Sequence, residues 1–260
     1  MIRRLKWIRE ICKDCSGQVL ILTAMAIAFI IISTVVYVYT VSQHPSPVDN
    51  SYEIAAFIRN IKLGTWNLMI GSLANISYGG NVSILETNLQ RWCEFVESHY
   101  YLGRCDLRFE LCEDDPYSSG TWISWGTQGL GVTSAKADFS LNITSKSVEA
   151  TVNYPINITT SLIVNGTYRE YSLFRDVVNV TISLFNEDHP ALAKNLTIYY
   201  SDMSGWREAS VLNTYELKDF GNGTYTASFI ILGTWTHRIR VACYDQREIY
   251  VQATTTCVRT

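Results

Sequence analysis

Residues 177–185 read VVNVTISLF. In an extended chain successive side chains point to opposite faces. Val180, Ile182 and Leu184 therefore share one face, and Asn179, Thr181 and Ser183 share the other. A period of two with one apolar side predicts a half-buried strand. The same alternation appears at Cys105, Leu107, Phe109 and Leu111, and again at Phe139, Leu141 and Ile143. These runs are short and bounded by Gly, Asn, Asp and Pro. No long helical pattern separates them after residue 102, which predicts antiparallel sheets packed as a sandwich. Toward the C-terminus strands are expected over 177–185, 195–200, 206–211, 224–231, 237–244 and 248–254. Glu187-Asp188-His189-Pro190, between the first two, has the composition of a turn. The Gly-, Ser- and Trp-rich stretch 113–136 has no clear period, and no element is assigned to it.

Upstream the period changes. Ile54, Phe57, Ile58, Ile61, Leu68, Met69, Leu73 and Ile76 recur at helical spacing, with Gly64 and Gly71 as weak points. Gly79-Gly80-Asn81 breaks the run. Ser83-Ile84-Leu85-Glu86 has the form of a capping box, and Leu85, Leu89, Trp92 and Val96 form the stripe behind it. A helical hairpin over residues 51–102 is expected.

From Val19 to Val41 there are 23 uncharged residues, mostly Ile, Val, Leu, Ala and Tyr. As a helix they span roughly 34 Å, enough for a hydrocarbon core of about 30 Å. The run is longer than the apolar core of a removable secretion signal, and no small-x-small site follows it. Residues 1–17 carry five basic and two acidic side chains, and the remainder carries 16 basic and 22 acidic. The basic tail belongs in the cytoplasm and the rest outside. No basic patch with interleaved aromatics suits nucleic acid, so none is expected as a partner. The lipid bilayer is.

The charged tail, Ser16-Gly17-Gln18 and the unbroken apolar run resemble the class III signal of archaeal type IV pilin-like proteins. The resemblance covers about residues 12 to 41. It implies cleavage between Gly17 and Gln18, with the helix retained for lateral packing against similar subunits. The chain departs from many filament-forming members in having Leu22 where they carry a Glu. The other reading of the junction is an uncleaved anchor. The stretch 219–245, DFGNGTYTASFIILGTWTHRIRVACYD, resembles the second half of Ig-like repeats of the filamin and bacterial invasin type. That likeness implies a β-sandwich over residues 166–260.

The expected fold class is thus α+β, in six parts. A cytoplasmic leader (1–17) precedes a transmembrane helix (18–41), a linker (42–50) and the amphipathic hairpin (51–102). A β-rich segment (103–165) and the Ig-like sandwich (166–260) complete an antiparallel ectodomain.

Eight of the fifteen asparagines begin Asn-x-Ser/Thr acceptor triplets: Asn75, Asn81, Asn142, Asn157, Asn165, Asn179, Asn195 and Asn222. All lie beyond the membrane helix, and glycosylation is expected at several. Five cysteines lie there too, and Cys93, Cys105, Cys112, Cys243 and Cys257 are disulfide candidates with pairing left open. Cys12 and Cys15 form a C-x-x-C without a second pair.

No H-E-x-x-H, G-x-S-x-G or P-loop is present, and neither catalytic residues nor cofactors are assigned. Glu113-Asp114-Asp115 lacks the ligand spacing of a calcium loop and reads as a solvated turn, so no metal site is assigned. Trp122 and Trp125, beside Gly120 and Gly126, suit either a binding loop or packing over the sandwich end. The function expected is that of a membrane-anchored surface protein, pilin-like or adhesin-like. It would meet other pilin-like subunits or surface proteins. The alternatives are a single-pass receptor or substrate-binding ectodomain and, third, a membrane-tethered envelope enzyme.

Overall fold

A computed structural model describes residues 21–40, 50–100, 103–145, 149–233 and 237–260. The Gly17–Gln18 junction, Cys12 and Cys15 lie outside them. The chain divides into two compact units, residues 1–55 and 56–260.

In the first unit α1 (Ile21–Thr40) has a mean hydropathy of 2.5, and every one of its residues is exposed. The hydroxyls of Ser33, Thr34 and Thr40 turn back onto the helix itself. Thr34 donates to the Ile30 carbonyl at 2.7 Å and Thr40 to the Val36 carbonyl at 2.7 Å. A helix in hydrocarbon has no water to satisfy such groups, and the hydroxyls of Ser33, Thr34 and Thr40 are met by its own carbonyls. Length and composition fit a single-pass anchor or a signal sequence.

The second unit starts within α2 (Asn50–Ser77) and continues with α3 (Ser83–His99). Gly64 and Gly71 do not interrupt α2. The helix stops at Gly79, whose φ of +94° suits glycine. Gly79 N–H donates to the Ile76 carbonyl and Gly80 N–H to the Asn75 carbonyl, the paired bonds of a Schellman end. The expected capping box does not form. Ser83 is already helical, and its N–H is met instead by Asn81 Oδ1 at 3.0 Å.

The strands follow as β1 (Gly103–Leu111), β2 (Thr121–Trp125), β3 (Leu130–Ser145), β4 (Glu149–Ser172) and β5 (Arg175–Asn186). After them come β6 (His189–Pro190), β7 (Ala193–Asp202), β8 (Gly205–Glu208), β9 (Glu216–Asp219) and β10 (Thr224–Leu232). The last are β11 (Arg238–Asp245), β12 (Tyr250–Thr256) and β13 (Val258–Arg259). The larger sheet has the order β1-β3-β4-β5-β10-β9, with β2 on β3, β6 on β5 and β13 on β4. The smaller runs β12-β11-β7-β8. Every pairing among these strands is antiparallel except β13 with β4.

The unassigned stretch 113–136 therefore contains β2 and the start of β3. The expected strand 206–211 is shorter than its period suggested: β8 ends at Glu208, and Ala209–Val211 turns as a 3-10 helix that buries Ala209. The boundary expected at 165/166 falls inside β4, which runs through it without a break.

β4 organises this unit. Its even-numbered residues from Tyr154 to Val164 are all buried, while Asn153, Pro155, Asn157, Ile163 and Asn165 are exposed. Two different layers cover the buried face. Toward its start lie the helices: Tyr154 stacks beside Phe139 at 5.3 Å, and the Lys62 ammonium sits 4.7 Å from the Tyr154 ring centroid. Toward its end lies the smaller sheet. There Leu162, Val164, Val178, Val180, Ile182, Leu184 and Phe229 pack in one core with Ile198, Ile239, Val241, Val251 and Ala253. The two covering layers also touch. Tyr250 N–H donates to Ser77 Oγ at 3.0 Å, and Tyr78 stacks on Tyr244 at 4.9 Å.

Candidate functional surfaces

The outer face of the larger sheet is polar because each strand's apolar set is spent on the core. Register places Asn165 opposite Thr181 and Thr167 opposite Asn179, and β10 adds Thr226 opposite Thr181 and Ser228 opposite Asn179. Two acceptor triplets thus lie side by side across adjacent strands. Asn75, Asn81, Asn157, Asn165, Asn179, Asn195 and Asn222 are exposed, and Asn142 is half-buried.

Their surroundings differ. Asn222 Oδ1 accepts the Thr224 N–H at 3.1 Å within a turn, as Asn81 does for Ser83. Asn157 Oδ1 accepts hydroxyls from Tyr117, Ser134 and Thr159. Asn142 Oδ1 accepts the Thr151 hydroxyl at 2.8 Å. Ser77, the third residue of the Asn75 triplet, is buried and holds β12.

Cys93, Cys105, Cys112, Cys243 and Cys257 are free thiols, with Cys93 half-buried and the other four buried. Cys243 stands opposite Val251, whereas the Cys257 N–H reaches the His237 carbonyl. Six residues of β11 separate those positions, about 20 Å at 3.3 Å per residue, far beyond the reach of a disulfide. Burial pushes the Cys243 thiol up to about 12, helped by Asp245, and Cys257 likewise to about 12. Cys93 and Cys105 rise to about 11 through burial first and Asp106 second. Thiolate chemistry is suppressed at neutral pH at these four positions.

The Glu113 carboxylate is engaged by the Ser119 N–H at 3.1 Å. Among the described residues no group of three His, Cys, Asp or Glu side chains stands where it could hold a metal ion. Trp125 lies edge-on to Tyr250 at 5.1 Å and donates to Thr133 Oγ1. Trp122 lies edge-on to Tyr117 at 6.1 Å. Trp122 is half-buried and Trp125 is partly exposed at 39%, each held by these contacts.

Two buried polar centres escape a reading by motif. Arg247 donates to Asp245 at 2.8 Å, to Glu187 at 2.8 Å and to the Thr159 carbonyl at 3.1 Å. Asp245, fully buried, also accepts from Thr160 and from the Ile249 N–H. This centre clamps the β5–β6 turn and β4 to the β11–β12 turn. Elsewhere His237 Nε2 meets Asp176 Oδ2 at 2.7 Å, with both side chains nearly inaccessible. Each centre joins residues of different strands and turns, and both hold the sheets together. The only sequence signal was the charge content of two turns.

Comparison of the chain with protein-family models, with curated proteins and with solved structures finds no match.

Proposed function

We propose that this chain is a membrane-anchored cell-surface protein of archaeal type with a structural or interaction role, pilin-like or adhesin-like. The helix α1 anchors it, the β-rich unit faces outward, and several of the eight acceptor asparagines carry sugar. The carrying observation is the polar outer face of the larger sheet, where acceptor asparagines on adjacent strands stand exposed. The self-contained hydrogen bonding of α1 supports the anchor. The facing orders β4-β5-β10-β9 and β12-β11-β7-β8 support an Ig-like sandwich in the C-terminal part. Such sandwiches serve adhesion, spacing and binding alike, so the role rests on the surface and not on the fold.

The test is the N-terminus and intact mass of the protein purified from membranes of its native host. The expected result is a membrane-retained chain with saccharide mass increments that map to the acceptor peptides. A chain beginning at Gln18 supports pilin-type processing, and one that keeps residues 1–17 favours the receptor-like anchor. A sugar-free chain recovered from the soluble fraction overturns the surface reading.

A further inference from the structure

Ser172 pairs with Arg175, so Leu173 and Phe174 are the two turn residues of the β4–β5 hairpin. They are 91% and 72% exposed. Tight hairpin turns favour Gly, Asn and Asp. The β5–β6 turn places Glu187 and Asp188 at positive φ, and Asp188 is of the favoured type. The β4–β5 turn does not. At the same end of the sandwich Asp202 pairs with Gly205, which puts Met203 at the tip of the β7–β8 turn, fully exposed. Leu232, at the end of β10, and Tyr171 are also well exposed. Phe174, Met203 and Leu232 rim one open cavity of ≈ 730 Å³.

Below these tips stand three guanidinium groups. Arg207 and Arg175 line the same cavity, and Arg175 and Arg259 flank Tyr171 and Leu173 on the other side. Two carboxylates here are paired with guanidinium groups, Asp202 with Arg207 at 2.6 Å and Glu170 with Arg259 at 2.7 Å, and Asp176 is hydrogen-bonded to His237. Arg175 has no carboxylate partner among the described residues. Arg238, which begins β11 beside Trp206, adds a fourth guanidinium against the three carboxylates Glu170, Asp176 and Asp202, so the balance at this end is positive on a chain whose residues 18–260 are acidic overall.

We infer that this end of the domain binds an anionic lipid surface. Tyr171, Leu173, Phe174, Met203 and Leu232 enter the acyl boundary, and Arg175, Arg207 and Arg259 meet headgroup phosphates. Protein partners fit contiguous faces. Here the apolar groups stand on separate tips from both sheets around one open cavity, and mobile acyl chains can fill the space around and between them. Apolar tips above a basic collar match the division of an anionic bilayer into hydrocarbon and phosphate. The inference rests on the anchor reading, which keeps a bilayer within reach.

The test is hydroxyl-radical footprinting of the full-length chain, read at each methionine and phenylalanine by mass spectrometry. The chain is placed in phosphatidylcholine vesicles, in vesicles two parts phosphatidylcholine to one part phosphatidylglycerol, and in amphipol. Met25 in α1 reports the anchor and Met203 the docking face. In anionic vesicles Met203 oxidation is expected to fall about fivefold relative to amphipol, and less in neutral vesicles. Phe220, at the opposite end of β10, keeps its rate. The L173D/F174D variant, with unchanged circular dichroism, returns Met203 to its amphipol rate. Met25 protected with Met203 unprotected overturns the docking face alone, whereas a chain that fails to float with vesicles overturns the anchor and this inference together. Protection of Met203 in amphipol that grows with protein concentration identifies a second copy as the occupant and overturns the lipid assignment.

Discussion

Cys243 and Cys257 carry thiols pushed to about 12, and Cys93 and Cys105 thiols pushed to about 11, against an ordinary value of 9.0. Burial leads in each case, because a thiolate loses more than a thiol when water is removed. The folded values lie above the unfolded one. The stability they represent is therefore fully present below about pH 9 and lost as pH rises through 11 to 12, since the unfolded chain releases its protons first. The urea midpoint is expected to hold steady up to about pH 9 and then fall, more steeply than in a Cys243→Ala variant. Parallel curves for the two proteins would exclude Cys243 as a contributor. The strand expected over 237–244 forms as β11, whose alternation buries Cys243. Its Asp245 neighbour was visible too, but the partners of Arg247 were not: Glu187 lies 60 residues away and Thr159 88.

At the scale of elements the helical hairpin turns on Gly64. Read from sequence it is a weak point in α2. In the fold it is the contact, because a Cβ there would lie 2.4 Å from the Trp92 ring. Trp92 is pinned in place by its indole N–H, which donates to Thr65 Oγ1 at 2.9 Å. Gly64→Ala gains helix propensity of about 1 kcal/mol and costs about 1–3 kcal/mol in overpacking. The expected net loss is about 1 kcal/mol or more by urea denaturation. In a Trp92→Ala background the same change turns neutral or stabilising. A stabilising Gly64→Ala in the parent chain would show that Trp92 moves aside freely. The helices themselves were legible from Ile61, Met69, Leu73 and Ile76, whereas the start of α3 was not. Its first N–H is capped by Asn81, two residues before the start of the expected box.

At the scale of the whole unit, residues 56–260, one strand serves two layers. The buried face of β4 meets the helices near Tyr154 and the smaller sheet near Leu162, and Ser77 and Tyr250 join those layers directly. Helix and sheet are expected to unfold together. Midpoints from far-ultraviolet circular dichroism and from tryptophan fluorescence should coincide. Helical signal lost at lower urea than fluorescence would instead mark the hairpin as a separate folding unit. What the sequence by itself determined is what depends on near neighbours. The length of α1, the helical stripes, the period-two strands and the outward-facing acceptor asparagines all follow from side-chain direction along a local backbone. The tertiary structure alone decided that β4 continues past residue 165, that Cys243 and Cys257 stand too far apart to join, and that Leu173, Phe174 and Met203 share one end. Those depend on register and on pairings between residues tens of positions apart, and a period along the chain carries no record of the strand that will lie beside it.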